Sequence, residues 1–456
     1  MPSSGLRKAL KELPATLDDT YQRALQEIPE GQWEYAHRVF QCLIAAIRPL
    51  RVEELAEIFA VEFDAVPNLM EGRRPENPEQ AVLSTCSTLI TVVEDNGSKL
   101  FQFSHFSVKE YLTSHRLRTS DVAGIRRYHI TLDSAHTTLA RACLAVLLKL
   151  GENVDKKRLA TFPLAFYAAR HWIDHAKFGD VITSQVQNTM ERLFDPSKAY
   201  LASWAWIYDV DRAWVRQSID FLPEYPPQLG PSALYYAVLC GFSGLAKHLV
   251  DTHTEDVNAQ CGYHGTPLHA ALYTRHLDAA SVLLDHDADV NLGDRDGRTP
   301  LVRAYDCRNL DAMRLLLERG ANPDVRYGSN GLLSHHASYH GRAEVIQLLL
   351  QHDADLYARC SKSWTPLHWA SAGGHAEVSR VLLEYGADVD AQSNVRNSPI
   401  HQASRSGHLE VVQVLLEYGA DVHALGEFDW TPFQTATFMG RSEVAQFLSM
   451  CGAGEG

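Results

Sequence analysis

A Thr-Pro or Ser-Pro step returns through the C-terminal half of this chain at Thr266-Pro267, Thr299-Pro300, Thr365-Pro366, Ser398-Pro399 and Thr431-Pro432, at intervals of 33 or twice 33 residues. The register without the step falls at Leu332-Leu333. A second string closes each unit: DADVN at 287–291, GANPD at 320–324, DADLY at 353–357, GADVD at 386–390 and GADVH at 419–423. An earlier copy starts at Ala233 and carries one extra residue before Asp256, which makes seven copies over 232–456. A unit this short cannot bury its own apolar face. The period therefore requires stacked copies that share one core.

The unit itself reads as a turn and two helices. Thr365 can cap a helix whose first position, Pro366, needs no N–H partner. Leu367, Ala370 and Ser371 give that helix a small face for close stacking, and Gly374 can end it in the left-handed conformation. A second helix follows, with Val378, Val381, Leu382 and Leu383 inward, and Gly386 ends it. These residues resemble the ankyrin repeat, and the resemblance covers about half of the chain. His368 has counterparts at His269, His335 and His401, whereas Val302 and Gln434 replace it in two copies. A metal or catalytic site would not be copied every 33 residues and then discarded twice, so we expect this imidazole to be structural. His375, with His276 and His408, starts the second helix and is read the same way.

The net charge of −14 is unevenly placed. Residues 1–230 hold 26 Lys and Arg against 29 Asp and Glu, which leaves −11 on residues 231–456. That disfavours nucleic acid as the partner of the repeats, because phosphate affinity comes from Lys and Arg. An acidic surface suits solubility or a basic protein partner. No apolar run reaches the ~20 residues of a membrane span. The eight cysteines form no CxxC pair, and we read them as reduced thiols of a cytoplasmic protein.

Residues 13–30 read as an amphipathic helix in which Thr16 and Asp19 form a weak capping pair. A helix over 35–47 follows, then a short extended piece and a third helix within 48–61, and a fourth helix over 79–90. Asn96-Gly97 then joins two β-rich runs, a type I′ hairpin signal, before the SVKEYLTS helix. Helices followed by a two-stranded hairpin describe a winged helix. Glu53, Glu54 and Glu57 on its third helix have the wrong sign for a groove reader. The runs LPATLDDTYQRAL, RPLRVEELAEIFAVEFDA and VLSTCSTLITVVEDNGSKLFQFSHFSVKEYL resemble the segment that follows the NACHT domain in fungal NLR-like (STAND) proteins. That resemblance implies a signalling switch, with repeats that sense a ligand and contact with an NTPase domain in the same chain or in trans. No GxxxxGK followed by Ser or Thr occurs, so ATP-driven switching is not assigned to these residues. On this reading the chain is a fragment or a truncated relative that starts where the NTPase would end.

Residues 118–230 read as a helical connector, with Trp204, Trp206 and Trp214 ahead of a Pro-rich boundary near 223–227. The expected architecture is mainly α: a winged-helix-like module over 1–117, the connector over 118–230, and the seven-repeat solenoid over 231–456. His171 and His175 have the spacing of a zinc pair but lack the glutamate and a third ligand, so we assign no metal, no cofactor and no catalytic residue. Asn96-Gly97-Ser98 is formally a glycosylation sequon, which the hairpin explains better.

What remains is a surface. The ankyrin resemblance implies that a protein partner binds the concave face of turns and first helices. By register Tyr263, Arg295, Arg298, Lys362, Trp364, Asn394, Arg405, Phe428 and Trp430 fall at turn or inner positions. Tyr273, Tyr339 and Phe438 fall near the ends of first helices. Tyr, Trp and Arg dominate interface energies, at about 2 kcal/mol or more for a hot spot. The function expected is non-catalytic protein binding, with nucleic-acid binding through the wing as the alternative.

Overall fold

A computed structural model describes residues 17–63, 66–86, 88–95, 97–122, 124–151, 154–179, 182–212, 222–223, 232–252, 256–328 and 331–453. Thr16, Asn96, Trp214 and most of the Pro-rich boundary lie outside the described residues. The chain divides into two compact units, Met1–Thr254 and Glu255–Gly456.

In the first unit, helix Trp33–Ala45 leads to a short strand, Leu50–Arg51, and helix Val52–Phe59. Helix Pro78–Cys86 follows, then strands Ile90–Asp95 and Ser98–Phe103. The last strand is central. It pairs antiparallel with Leu50–Arg51 on one side and with Ile90–Asp95 on the other, and buried Phe101 faces Leu50 and Val92. This is the winged-helix arrangement. Gly97, at φ 77°, supplies the left-handed residue the hairpin turn needs.

The acidic third helix is not free to read a groove. Glu54 and Glu57 are buried. Glu54 accepts from Arg48 at 2.6 and 2.8 Å and from the Arg51 side chain and amide at 3.0 and 2.8 Å. Glu57 accepts from the Leu164 amide at 2.7 Å and pairs with Arg74, whose guanidinium also donates to the Thr161 carbonyl at 2.9 Å. The helix is thus bound by charge to the connector. Burial pushes Glu54 up, but Arg48 and the Arg51 amide outweigh it and hold the carboxyl below its usual range. At Glu57 burial wins over the Leu164 amide and Arg74, and the pKa is raised. Glu57→Ala should leave an amide and a guanidinium unpaired and cost about 3 kcal/mol. Urea unfolding followed by tryptophan fluorescence measures this, and a midpoint equal to wild type would contradict the assignment.

The connector supplies helices Leu132–Leu150, Lys156–Ala160, Ala165–Ala176, Ser184–Leu193 and Tyr200–Ile207. Its core is aromatic. Trp172 packs on Trp204 at 5.5 Å and on Phe242 at 5.4 Å, and Trp204 on Tyr236 at 5.5 Å. Phe242 and Tyr236 belong to the first repeat pair, Ala233–Leu239 and Ser243–Thr252, so that pair is part of the first unit. The tyrosine hydroxyls of Tyr235 and Tyr236 donate to Asp211 at 2.5 Å and Asp209 at 3.1 Å.

The second unit stacks six helix pairs, from Pro267–Thr274 with Leu277–Asp285 to Pro432–Phe438 with Ser442–Leu448. First helices pack on first helices and second on second. The columns that meet are apolar: Leu268, Leu301, Leu367 and Ile400 in the first rank, and Leu283, Leu316, Leu349, Leu382 and Leu415 in the second, all buried. Each such leucine contributes about 1.5–3 kcal/mol. Of the four residues expected inward on one second helix, Val378, Leu382 and Leu383 are buried, and Val381 is half-buried.

Three hydrogen-bond ladders fix the spacing between units. In the first, His368 Nδ1 accepts from Thr365 Oγ1 at 2.9 Å and from the Thr365 amide at 3.2 Å, while Nε2–H donates to the Asn397 carbonyl of the next unit at 3.0 Å. His269, His335 and His401 repeat the inter-unit bond, to Arg298, Ala358 and Trp430 at 2.9–3.0 Å. In the second, His375 and His408 donate to the carbonyls of Tyr339 and Ala372, which close the preceding first helices. Arg441 does the same for Arg405. In the third, the closing strings link up: side chains of Asn258, Asn291, Asp324 and Asp390 accept the amides of Asp289, Asn322, Asp355 and Asp421 at 2.8–3.0 Å. Gly374 shows how tightly the units close. It sits at φ 80°, and a β-carbon there would come within 2.6 Å of the His408 ring.

The first ladder carries a pH signature. Burial pushes His368 from 6.5 down to about 4, and moves His269, His335 and His401 in the same direction. A base whose folded pKa is depressed stays neutral while the unfolded chain takes up protons. Stability should therefore be level above pH 6.5 and fall between 6.5 and about 4, by about 3 kcal/mol for His368 alone. Urea midpoints over that range test this, with His368→Gln as the variant of reduced slope. A flat profile would rule the neutral ladder out.

Candidate functional site

With the backbone of each turn held by the ladders, the side chains of turns and first helices are what this face offers. The twelve residues singled out by register separate into groups. Tyr263, 57% exposed, and Tyr273 both pack on His264, at 5.2 and 3.9 Å. Arg295 is exposed. Arg298 is different: its guanidinium bonds Asp294 at 3.2 Å and Asp296 at 2.6 Å, so it serves its own turn. Asp294 is held below its usual range, because the Arg298 and Asp296 amides and the Arg298 charge outweigh its burial.

The middle of the array carries the longest aromatic run. The Lys362 ammonium lies 5.5 Å from the Trp364 ring, Trp364 meets Trp369 at 5.0 Å, and Trp369 meets Tyr339 at 5.7 Å. Tyr339 continues to His340, His336 and Tyr327. Asn394 is exposed, and its amide donates to the Lys362 carbonyl at 3.2 Å. The C-terminal group is Phe428, Trp430 and Phe438, with ring separations of 5.6 and 4.7 Å. Phe428 is 74% exposed and Phe438 70%, an unusual cost for two phenylalanines side by side. Arg405 and Glu427, 3.9 Å apart, share the cavity of about 430 Å³ that these rings line. Phe428 also stands at φ 61°, rare for a bulky residue and not shared by Tyr263, Asp296, Lys362 or Val395 at the same register.

Register reasoning missed one column. Trp369, His336 and Arg303 each stand four residues after the turn's Thr or Leu, on the same helical stripe as Tyr339 and Phe438 three residues further on. Reading the repeats as aligned columns would have found it. The structure also relocates the acidity. Exposed carboxylates such as Asp278, Asp285, Glu318, Glu344, Glu377, Glu384 and Glu410 lie on the second helices. The turn and first-helix face mixes Arg295, Lys362 and Arg405 with Asp296 and Glu427.

Elsewhere the chemistry is internal. His175 is buried, with Nδ1 2.9 Å from His136 Nδ1 and Nε2 2.9 Å from the Tyr167 hydroxyl, whereas His171 faces Asp174 at 3.2 Å. Burial and the neighbouring His136 push His175 down to about 3. The two histidines thus engage separate partners. Among the described residues no group of three or more His, Cys, Asp or Glu is placed to hold a metal. In the wing, Lys99 is ion-paired with Glu79 of the preceding helix at 2.7 Å. No helix among the described residues is long and apolar enough to cross a membrane.

Trp364→Ala with Trp430→Ala should leave the fold intact, since both rings are only half-buried and neither closes a ladder. Its melting temperature should fall by no more than a few degrees, about 1–2 kcal/mol. Loss of cooperative melting would show that the rings are core.

Family models agree with this geometry. Two ankyrin-repeat family models match, one of three copies over residues 234–327 and 332–393 and one of many copies over 374–416 and 400–448. A model described as the winged helix domain of GPI inositol-deacylase matches residues 25–124. The azaphilone pigments biosynthesis cluster protein L of Monascus ruber is 33% identical over 296 residues, 62% of this chain and 61% of that protein. The chain thus spans about three-fifths of the length of that curated relative. The crystal structure of the human ASB11 ankyrin repeat domain is 27% identical, with a TM-score of 0.40, covering 48% of this chain and 97% of that one. The C-terminal half of the chain is an ankyrin-repeat array, preceded by a winged-helix-like domain.

Proposed function

We propose that the chain is a non-catalytic scaffold that binds a protein partner on the turn and first-helix face of its ankyrin array. The observation that carries this reading is the exposure of large rings in three groups on one face, above all Phe428 and Phe438 beside Trp430 and the Trp364–Trp369 pair. Rings held by neighbouring rings lose little freedom on binding, which is what hot spots require. The balanced charge of this face favours a partner that contributes apolar and aromatic side chains, rather than a basic one drawn by the net −11 of residues 231–456.

We further read the chain as the sensing half of an NLR-like signalling system acting in the cytoplasm. The similarity of residues 6–112 to the post-NACHT segment supports this, and so do the eight free thiols. An NTPase would then act from the same polypeptide or from another. Partner engagement would be relayed through the connector, whose residues 161–164 grip the winged helix through Glu57, Arg51 and Arg74.

Proximity labelling in the native cell, comparing wild type with the Trp364→Ala/Trp430→Ala variant, tests the binding reading. A defined set of proteins should be labelled by wild type and lost from the variant. Identical labelling by the two would remove the face from consideration. A gel shift with duplex DNA at moderate salt should show no retardation, and retardation abolished by Lys99→Gln would revive the wing as a nucleic-acid reader.

A further inference from the structure

Each first helix ends in a hairpin loop whose last residue takes the left-handed conformation. Five of these are glycines: Gly241, Gly341, Gly374, Gly407 and Gly440. Two are arginines, Arg275 at φ 63° and Arg308 at φ 51°. An L side chain there incurs strain that glycine does not. Arg275 has a structural return, because its guanidinium donates to the Cys307 carbonyl at 2.6 Å. Arg308 has none: its side chain makes no hydrogen bond or ion pair with any described residue.

Arg308 instead stands on a cavity of about 610 Å³ between the hairpin loops of two neighbouring units. Arg342 lines the same cavity. Its guanidinium lies 4.3 Å from the Tyr305 ring centroid and spends one N–H on the Tyr305 carbonyl at 3.3 Å. Leu310, Met313 and Val345 supply apolar wall, and Glu344 is the carboxylate beside them. Two arginines thus line one cavity in a half of the chain that carries −11 overall. First helices run from the turn to the hairpin loop, so this cavity lies at the opposite end of those helices from Trp364 and Trp430.

The geometry points to a second docking site here, for an acidic peptide segment that sets a carboxylate on Arg308 and Arg342 and an adjacent leucine-like side chain on Leu310. Guanidinium and carboxylate match in a planar, two-bond geometry, and the stacked Arg342 is already oriented. A nucleic acid is disfavoured, because many phosphates would face the acidic second helices while only two cations received them.

Fluorescence anisotropy on the full chain tests this with a fluorescein-labelled octapeptide of Glu and Leu, against the same peptide with Gln for Glu. The Glu peptide should bind at least about ten-fold more tightly than the Gln peptide. Arg308→Gly removes the charge and places glycine where the backbone favours it. It should melt at or above the wild-type temperature and still lose about ten-fold in affinity for the Glu peptide. Trp364→Ala/Trp430→Ala should bind this peptide as wild type does, which separates the site from the aromatic face. Equal binding of the two peptides, no binding of the Glu peptide at about 1 mM, or wild-type affinity in Arg308→Gly would each overturn the assignment. So would loss confined to the tryptophan variant.

Discussion

The array rests on the contact between like helices of neighbouring units. Leu367 of one first helix and Ile400 of the next are both shut from water, as are Leu382 and Leu415 in the second rank. Neither pair could be dry within a single unit, because each helix presents apolar surface on both sides along the stack. The ladders are a consequence. Once the helices are brought this close, the carbonyl of Asn397 and the amides of the closing strings lose water and need partners from the adjoining unit. His368 meets that need as a neutral imidazole that accepts on one nitrogen and donates from the other. In the last described repeat Gln434 stands at this register and accepts the Thr431 amide at 2.9 Å.

In the first unit a different constraint governs. Of the third helix's three glutamates, Glu53 is exposed, whereas Glu54 and Glu57 are buried. Their partners come from three directions: Arg48 and Arg51 before the helix, Arg74 after it, and the Leu164 amide from more than a hundred residues on. Such an arrangement specifies which surface meets which more than it adds net stability, since desolvation of the charges offsets much of their attraction. It also explains in structural terms why an acidic third helix suits this winged helix. The helix is a docking element for the connector.

Because backbone bonds and buried leucines hold the repeats, the side chains that point away from both are free to differ from unit to unit. The aromatic groups at Tyr263, at Trp364 and at Trp430 occupy the same registers that hold Asp296 or Asn397 in other units. The left-handed loop position shows the same freedom, with arginine in two repeats and glycine in five. Departures from the repeat at structurally idle positions are therefore the places where binding chemistry can be read.

The repeat period, the helix pair, the left-handed glycines and the structural role of His368 were all legible in the chain, because each follows from local spacing and from recurrence. Recurrence also marked twelve exposed or half-exposed residues of the turns and first helices. At Arg298 the guanidinium is also engaged within its own turn, by Asp294 and Asp296. By itself the sequence determined the stacked helix pairs and the winged helix, since periodicity and turn chemistry are properties of consecutive residues. Only the tertiary structure decided that Glu54 and Glu57 are buried, that Trp369 joins Trp364 to Tyr339, and that Arg308 and Arg342 line one cavity. Those juxtapositions depend on which distant surfaces lose water together, and no local pattern encodes that.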